Sequence, residues 1–386
     1  MKALWGLALG NFAVGTGALV IAGVLPDIAH DTGVSDAQSG QLITIYAITY
    51  ALAAPILGSL TGKMDRRLLL TLAALLIAAS NIVGATTTDF TWLMAARLTA
   101  AIGAALFSPV AVGVATTLVP PGKVAGAIAL VFGGFVVSSV LGVPLGVWIG
   151  GEVGWQGSYG FVAIIAIVAA LAVILTVPGG LKAQGSSFRA LGQVLAHRRL
   201  MVAISMGASQ MAAQFVPYTF IALLLLNKAS IEPGEMALAF MMFGGFSVLA
   251  NVIGGRASDK YGPQVTMMVT MAALPMVLAG LEFLDYGLAV ATMLMAIWGM
   301  AGFGFAAAQQ ARLVQLAPEL RGVVLSLHAS SLYVGQAIGA PLGAWILTDY
   351  GLDWLGWGGA AVAVLSFATF IVSLRQWGDW GRKPSA

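Results

Sequence analysis

Within the long apolar runs of this chain, few residues could carry a charge or move a proton. Arg97 and His328 stand inside such runs, with Arg312 near the end of another. Ionisable groups at membrane depth are expensive, so each is a candidate for function by default. An imidazole titrates near pH 6.5, so His328 could exchange protons with a solute; it could equally be a packing histidine with a hydrogen bond. Arg97 could be satisfied by backbone carbonyls of neighbouring segments, or could bias a cavity and take part in coupling or gating. Arg312 is close enough to an end to snorkel. The carboxylates nearest to such a path are Asp27 and Asp31, just past Pro26 at the rim of the first apolar run. Neutral polar groups are more plentiful. Gln210, Gln214 and Tyr218 recur at four-residue spacing, which puts them on one helix face. Tyr46 and Tyr50 form a similar stripe, and Asn11, Thr16, Tyr333 and Gln336 add to the set. Amides and phenols can hydrogen-bond many solutes without demanding charge; each could also serve as glue between helices.

The elements that must position these groups are membrane helices. The 386 residues are 59% hydrophobic and only 9% charged, whereas soluble domains carry about 25% charged residues. A helix needs about 20 apolar residues to cross the hydrocarbon core. Apolar runs of that length fall near 3–26, 38–61, 68–86, 91–118, 124–150, 157–177, 200–226, 236–254, 264–281, 287–314, 323–347 and 355–374. No Asp or Glu falls inside these runs. The first is too long for the apolar core of a signal peptide and reads as a span. The expected fold is therefore an all-α integral membrane protein of twelve spans. The expected organisation is a six-helix bundle at 1–177, a linker at 178–199 and a second bundle with a short tail at 200–386. In the linker, Phe188, Leu191, Val194 and Leu195 share a face beside Arg189, Arg198 and Arg199, with Ser187 as a possible cap. This pattern predicts a short amphipathic helix on the membrane surface.

Charge sets the orientation. Lys63, Arg66, Arg67, Lys123, Lys182, Arg256, Lys260 and Arg321 fall on one side together with the linker and both termini, whereas the other side holds Lys228 alone among basic residues. Basic loops stay cytoplasmic, so both termini are expected there. Trp377 and Trp380 beside Arg382 and Lys383 fit an interfacial belt. The net charge of +3 is too small to imply nucleic-acid binding, and the absence of cysteine removes disulfides and thiolate metal sites.

The two halves repeat. Gly142-Val143-Pro144-Leu145-Gly146-Val147-Trp148-Ile149 returns 197 residues later as Gly339-Ala340-Pro341-Leu342-Gly343-Ala344-Trp345-Ile346. At the same offset the segment from Gly58 to Lys63 lines up with that from Gly255 to Lys260. Parallel repeats with interrupted helices imply a substrate path between two halves. Six plus six spans, a central loop and a repeated loop motif after the second span of each half resemble the major facilitator superfamily. Its cytoplasmic-loop signature is intact in the second half as Gly255, Asp259, Lys260 and Gly262. In the first half Gly58 and Lys63 fit, Gly62 replaces the Asp, and Asp65 followed by Arg66 stands where a Gly is usual. Such a carboxylate can rest against the positive end of a helix, and Asp65 could do so from its shifted position. The fifth span resembles the motif of the drug:proton antiporter branch at Gly133, Gly134, Gly142, Pro144, Gly146, Gly150 and Gly151. Arg97 resembles that branch's fourth-span arginine, with Gly103 kept and Ala100 and Ala101 replacing its Gln and first Gly.

The resemblance implies two pseudo-symmetric six-helix bundles and a secondary exporter of small neutral or amphipathic solutes, such as drug-like compounds, nucleosides or sugars. Protons and lipids would be its partners and a monomer its default state. The acid that related exporters often carry after a Gly-Thr pair in the first span is missing from Gly15-Thr16-Gly17-Ala18-Leu19. Coupling would then use a rim carboxylate or His328, or the protein would be a facilitator or exchanger. No nucleophile–base pair, metal cluster or nucleotide-binding loop points to an enzyme, a cofactor or ATP drive.

Overall fold

A computed structural model describes residues 1–62, 64–120, 123–181, 188–229, 231–283 and 287–377. Within them, eleven helices are long and apolar enough to cross a membrane, and one bent pair makes a twelfth. The first span is that pair, Lys2–Leu19 and Ile21–Thr32, bent by 47°. The second to fourth spans are Gln41–Leu60, Arg66–Thr86 and Phe90–Thr117. The fifth runs as Val124–Val137, a π-helical turn at Ser138–Gly142 and then Val143–Val153; the sixth is Trp155–Thr176. After the linker helix Phe188–Ala196, the seventh span is Arg198–Tyr218 continued by Ile221–Lys228. The eighth is Pro233–Tyr261, the ninth Pro263–Gly280 and the tenth Leu288–Phe303 with Phe305–Leu316. The eleventh is Arg321–Asp349 and the twelfth Leu355–Trp377. Contacts divide the chain into two compact units, residues 1–186 with 232–241 and residues 187–231 with 242–386.

Helices outrun the apolar runs because a backbone ladder ends at a cap, not at the first polar side chain. The first span continues through Pro26 to Thr32 and ends on left-handed Gly33. Asp27 and Asp31 therefore lie on its last turns and not in a loop beyond Pro26. Glu152, Glu235, Asp259 and Asp349 likewise fall inside helices, each close to an end.

Glycine seams hold each bundle. In the first unit the fifth span lies along the first. A Cβ at Gly134 would sit 1.9 Å from the Ala8 carbonyl oxygen. One at Gly142 would sit 2.0 Å from Thr16 Oγ1, and one at Gly146 2.6 Å from Val20. Gly150 faces Val24 and Ser158. The second unit repeats the device between the eleventh and seventh spans, where Gly335, Gly339 and Gly343 meet the carbonyls of Ala208, Ala212 and Val216. Small residues are favoured at such membrane interfaces because backbones approach closely and gain dispersion where no hydrophobic effect operates. Pro144 follows a π turn, whereas its counterpart Pro341 lies inside an uninterrupted helix.

The linker helix is docked. Val194 is fully buried in a cluster with Leu200, Ala203, Ile204, Leu313 and Val324, while Leu195 on its flank is half exposed. Ser187, Lys63, Lys182, Trp380, Arg382 and Lys383 lie outside the described residues.

Asp65 does two things at the start of the third span. Oδ1 caps the helix by accepting the Leu68 N–H at 2.9 Å, and Oδ2 accepts the N–H of Gly180 at the beginning of the linker. The adjacent Arg66 N–H donates to the Leu181 carbonyl, and its guanidinium donates to the carbonyls of Gly62 and Thr61. The bond from Leu68, with that from Gly180, holds the Asp65 carboxyl below its usual range. The second half behaves differently. Its intact signature places Asp259 on the exposed last turn of the eighth span, and the ninth begins at Gly262, φ +88°, with no side-chain cap. Asp65→Ala is expected to lower stability by about 1 kcal/mol, the usual worth of an N-cap, and to speed amide exchange at Gly180. Because the folded-state carboxyl is the stronger acid, its contribution is present above the unfolded value near 3.9 and fades as pH falls through the folded value. Exchange rates of wild type and variant should therefore converge towards pH 3.

Candidate functional site

In the first unit the buried polar groups gather around the bend of the first span. Arg97 is 1% exposed, eight residues into the fourth span. Its Nη1 donates to the Gly17 carbonyl at 2.7 Å and its Nε to the Leu42 carbonyl at 3.1 Å. Its Cζ lies 4.3 Å from the centre of the Tyr46 ring, a cation–π distance. Three spans are thus joined through one side chain. In a straight helix the Gly17 carbonyl would accept the Ile21 N–H. Here it receives Arg97, and the helix breaks at Val20. A side chain entering the ladder is a recognised cause of a kink. The bend faces the glycine seam, since Val20 fills the space left by Gly146.

Asn11 and Thr16 stand on the same span below the bend, both fully buried. Asn11 donates to the Val131 carbonyl at 3.0 Å across to the fifth span, and its Oδ1 has no partner among the described residues. Thr16 turns its hydroxyl back to the Phe12 carbonyl. Tyr46 and Tyr50 are buried on the second span. A small cavity borders Ala13, Gly17, Tyr46 and Asn81, next to the groups that hold Arg97. Asp27 and Asp31 are exposed and apart from this cluster. Asp31 accepts the indole N–H of Trp155 at 2.9 Å and lies 3.1 Å from His30 Nδ1, which ties the end of the first span to the start of the sixth.

In the second unit the seventh span carries the polar stripe, and Gln210, Gln214 and Tyr218 are all buried. Neither amide atom of Gln210 has a partner among the described residues. Gln214 donates weakly to the Gly302 carbonyl at 3.3 Å, and its Oε1 is without a partner among the described residues. Tyr218 stands in an aromatic group with Phe215, Phe243 and Trp298, ring centres 5.2–6.0 Å apart. The indole N–H of fully buried Trp298 also lacks a partner among the described residues, a polar group that its apolar sequence setting did not reveal. Tyr333 is buried and Gln336 half-buried on the eleventh span.

His328 is 3% exposed and lies against Gly207, whose missing Cβ leaves the room its ring occupies. Its Nδ1 has no partner among the described residues. The neighbouring Ser331 hydroxyl bonds the backbone carbonyls of His328 and Ile204. Arg312 does not snorkel. It turns inward, 1% exposed, and donates to Ser373 Oγ at 2.8 Å and Met206 Sδ at 3.4 Å. Lys228 closes the seventh span with Glu282 and, at 3.0 Å, Asp353. Glu282 also accepts the Gly356 N–H at 2.9 Å, so the ion cluster joins three segments of this unit. Because Lys228 keeps Asp353 as a partner, Glu282→Gln is expected to destabilise the protein by only about 1–2 kcal/mol, less than the loss of the sole partner of a buried charge. Thermal unfolding at low and high salt would measure this, and the loss should grow at high salt, where the exposed Asp353 is screened and compensates less.

The sequence profile of the Major Facilitator Superfamily matches residues 7–333 and 219–384. The chain is 31% identical over 366 residues to the MFS-type transporter YbcL of Bacillus subtilis (strain 168), covering 93% of both chains. It is 32% identical over 377 residues to a chloramphenicol resistance protein of Streptomyces lividans, covering 95% of both. It is 28% identical over 382 residues to the inner membrane transport protein YdhP of Escherichia coli (strain K12), covering 97% of this chain and 96% of that one. Its fold matches a bacterial homolog of the human lysosomal transporter Spinster, in an inward-facing and occupied conformation, with TM-score 0.82 at 19% identity over 99% of this chain. With matched profile, relatives and fold all spanning the chain, this multi-pass membrane protein belongs to the Major Facilitator Superfamily and is a transporter, not an enzyme.

Proposed function

We propose that the protein is a secondary active exporter of small neutral or amphipathic solutes, working by alternating access of its two halves with protons as the counter-ion. It would act as a monomer in the bacterial inner membrane with both termini cytoplasmic. The observation that carries the solute class is the set of buried amide atoms left without partners among the described residues, Asn11 Oδ1, both of Gln210 and Gln214 Oε1. Unpaired buried polar atoms are costly, and a solute with neutral donors and acceptors removes that cost. The export direction rests on likeness to the chloramphenicol resistance protein and on the antiporter-like seam of Gly142, Pro144, Gly146 and Gly150 against the first span. Asn11, Thr16, Tyr46, Tyr50, Gln210, Gln214, Tyr218, Tyr333 and Gln336 would line the solute path. Arg97, His328, Asp27 and Asp31 would serve coupling or gating. The loops of Gly58, Gly62, Asp65 and Arg66 and of Gly255, Asp259, Lys260 and Gly262 would set the conformational equilibrium.

The lack of a carboxylate in the middle of any span favours a second reading, a proton-independent facilitator or exchanger. Acidified everted vesicles separate the two. Solute-dependent proton release, absent from vesicles without the protein, supports antiport. Labelled-solute flux without proton release supports the facilitator. No flux of either kind rejects transport of the solutes offered.

Gly302→Ala tests the lining. The new Cβ would sit 2.0 Å from Gln214 Oε1, so the amide must move while the backbone stays. The expected result is a folded protein whose apparent affinity for a transported solute falls by about three- to tenfold, the worth of one neutral hydrogen bond. An unchanged concentration dependence would remove Gln214 from the path.

A further inference from the structure

The charged groups within the spans are distributed unequally. Every Asp and Glu in them lies within two residues of an end, apart from Asp27, five residues from Thr32. Arg97 lies deep in the fourth span, and everything that holds it is neutral: the Gly17 and Leu42 carbonyls and the face of Tyr46. Among the described residues it forms no ion pair, and its Nη2 has no partner. Tyr46 shares its stripe with Tyr50, on the lining assigned above to the solute path.

We propose that Arg97 makes this transporter selective by charge, so that it accepts neutral and anionic forms of a solute and rejects cations. This rests on the exporter reading above. A full charge at an effective dielectric of about 20 acts over a long distance. A cation about 10 Å from Arg97 is disfavoured on the order of tenfold, and an anion favoured by a similar factor. A membrane site that holds a cation normally supplies a carboxylate, and here none stands near the span centres. The buried hydrogen-bonding groups of the lining are uncharged amides, phenols and a hydroxyl, so no negative charge in it offsets the arginine.

One scaffold in three charge states tests this. Chloramphenicol is neutral, its deacylated amine is a cation at pH 6.5, and its hemisuccinate ester is an anion; ethidium adds a permanent cation. Flux of each is measured in proteoliposomes of the purified full chain against empty liposomes. The expected order has chloramphenicol and the hemisuccinate transported, with the amine about tenfold slower and ethidium not moved. Arg97→Lys, which keeps the charge, should preserve that order at whatever rate remains, and Arg97→Gln should raise the amine relative to the hemisuccinate by on the order of a hundredfold, tenfold from each ion. Protein-dependent flux of ethidium, or of the amine at the rate of chloramphenicol, overturns the inference, as does the same order in Arg97→Gln. If no probe moves, the exporter reading fails for this scaffold and the inference falls with it. If both variants fail to fold, the order in the wild-type protein decides.

Discussion

Gly134→Ala should destabilise the purified protein by about 3 kcal/mol, whereas Gly133→Ala, one residue away, should leave stability unchanged or raise it by about 0.5–1 kcal/mol. The new Cβ at 134 would lie 1.9 Å from the Ala8 carbonyl oxygen, an atom of the first-span backbone that no rotamer change can move. The two spans must separate, and contacts along the seam from Gly134 to Gly150 loosen together. A Cβ at 133 meets nothing within 4 Å, so only the higher helix propensity of alanine acts. Gly339→Ala in the eleventh span repeats the test in the other bundle, 2.4 Å from the Ala212 carbonyl. Thermal unfolding in detergent, followed by tryptophan fluorescence, reads all three. Equal midpoints for the two neighbouring variants would mean that the seam does not set the spacing of the spans.

Arg97→Ala should reduce transport by at least about tenfold while the protein remains folded, and should straighten the first span. Without the guanidinium, the Gly17 carbonyl is free to accept the Ile21 N–H, and one regular turn replaces the 47° break at Val20. Each charge-assisted bond lost is worth about 1.5–3 kcal/mol, offset in part by the desolvation that the buried cation no longer incurs. Stability should therefore change less than transport. Arg97→Lys should recover only part of the loss, since an ammonium cannot reproduce the fork that reaches Gly17 and Leu42 together. The chain has no cysteine, so pairs of spin labels can be placed freely. A pair on exposed Trp5 and His30 spans the bend. Label distances that stay the same in Arg97→Ala would show that the bend belongs to the span itself.

Much of this architecture is legible in the residues because crossing a bilayer is a local demand. Each span needs about 20 apolar residues and internal hydrogen bonds, and that requirement is written in consecutive positions. The second and third spans, the repeat around Pro144 and Pro341, and the four-residue stripe of Gln210, Gln214 and Tyr218 can therefore be read from the chain, and their motifs resemble the superfamily to which it belongs. Span ends are read less well. Apolarity stops at Pro26, but the helix does not, because the ladder continues until Gly33 turns it.

Which atoms the buried polar groups bond was decided by tertiary structure. The sequence leaves Arg97 between packing and coupling, since nothing local identifies which carbonyls will face it; its partners lie 80 and 55 residues away. Arg312 has a span end within reach but turns to Ser373, which folding brings to it from the twelfth span. The same holds for the loops. The intact signature around Asp259 leaves the ninth span uncapped, and the altered one places Asp65 on both a helix and the linker. The order of the apolar runs and the repeat at 197 residues determined that this chain is built of twelve spans in two related halves, because crossing a bilayer is a demand on consecutive residues. Where its few charges end up depends on which backbone atoms a neighbouring span leaves open, and that exists only once the spans have packed.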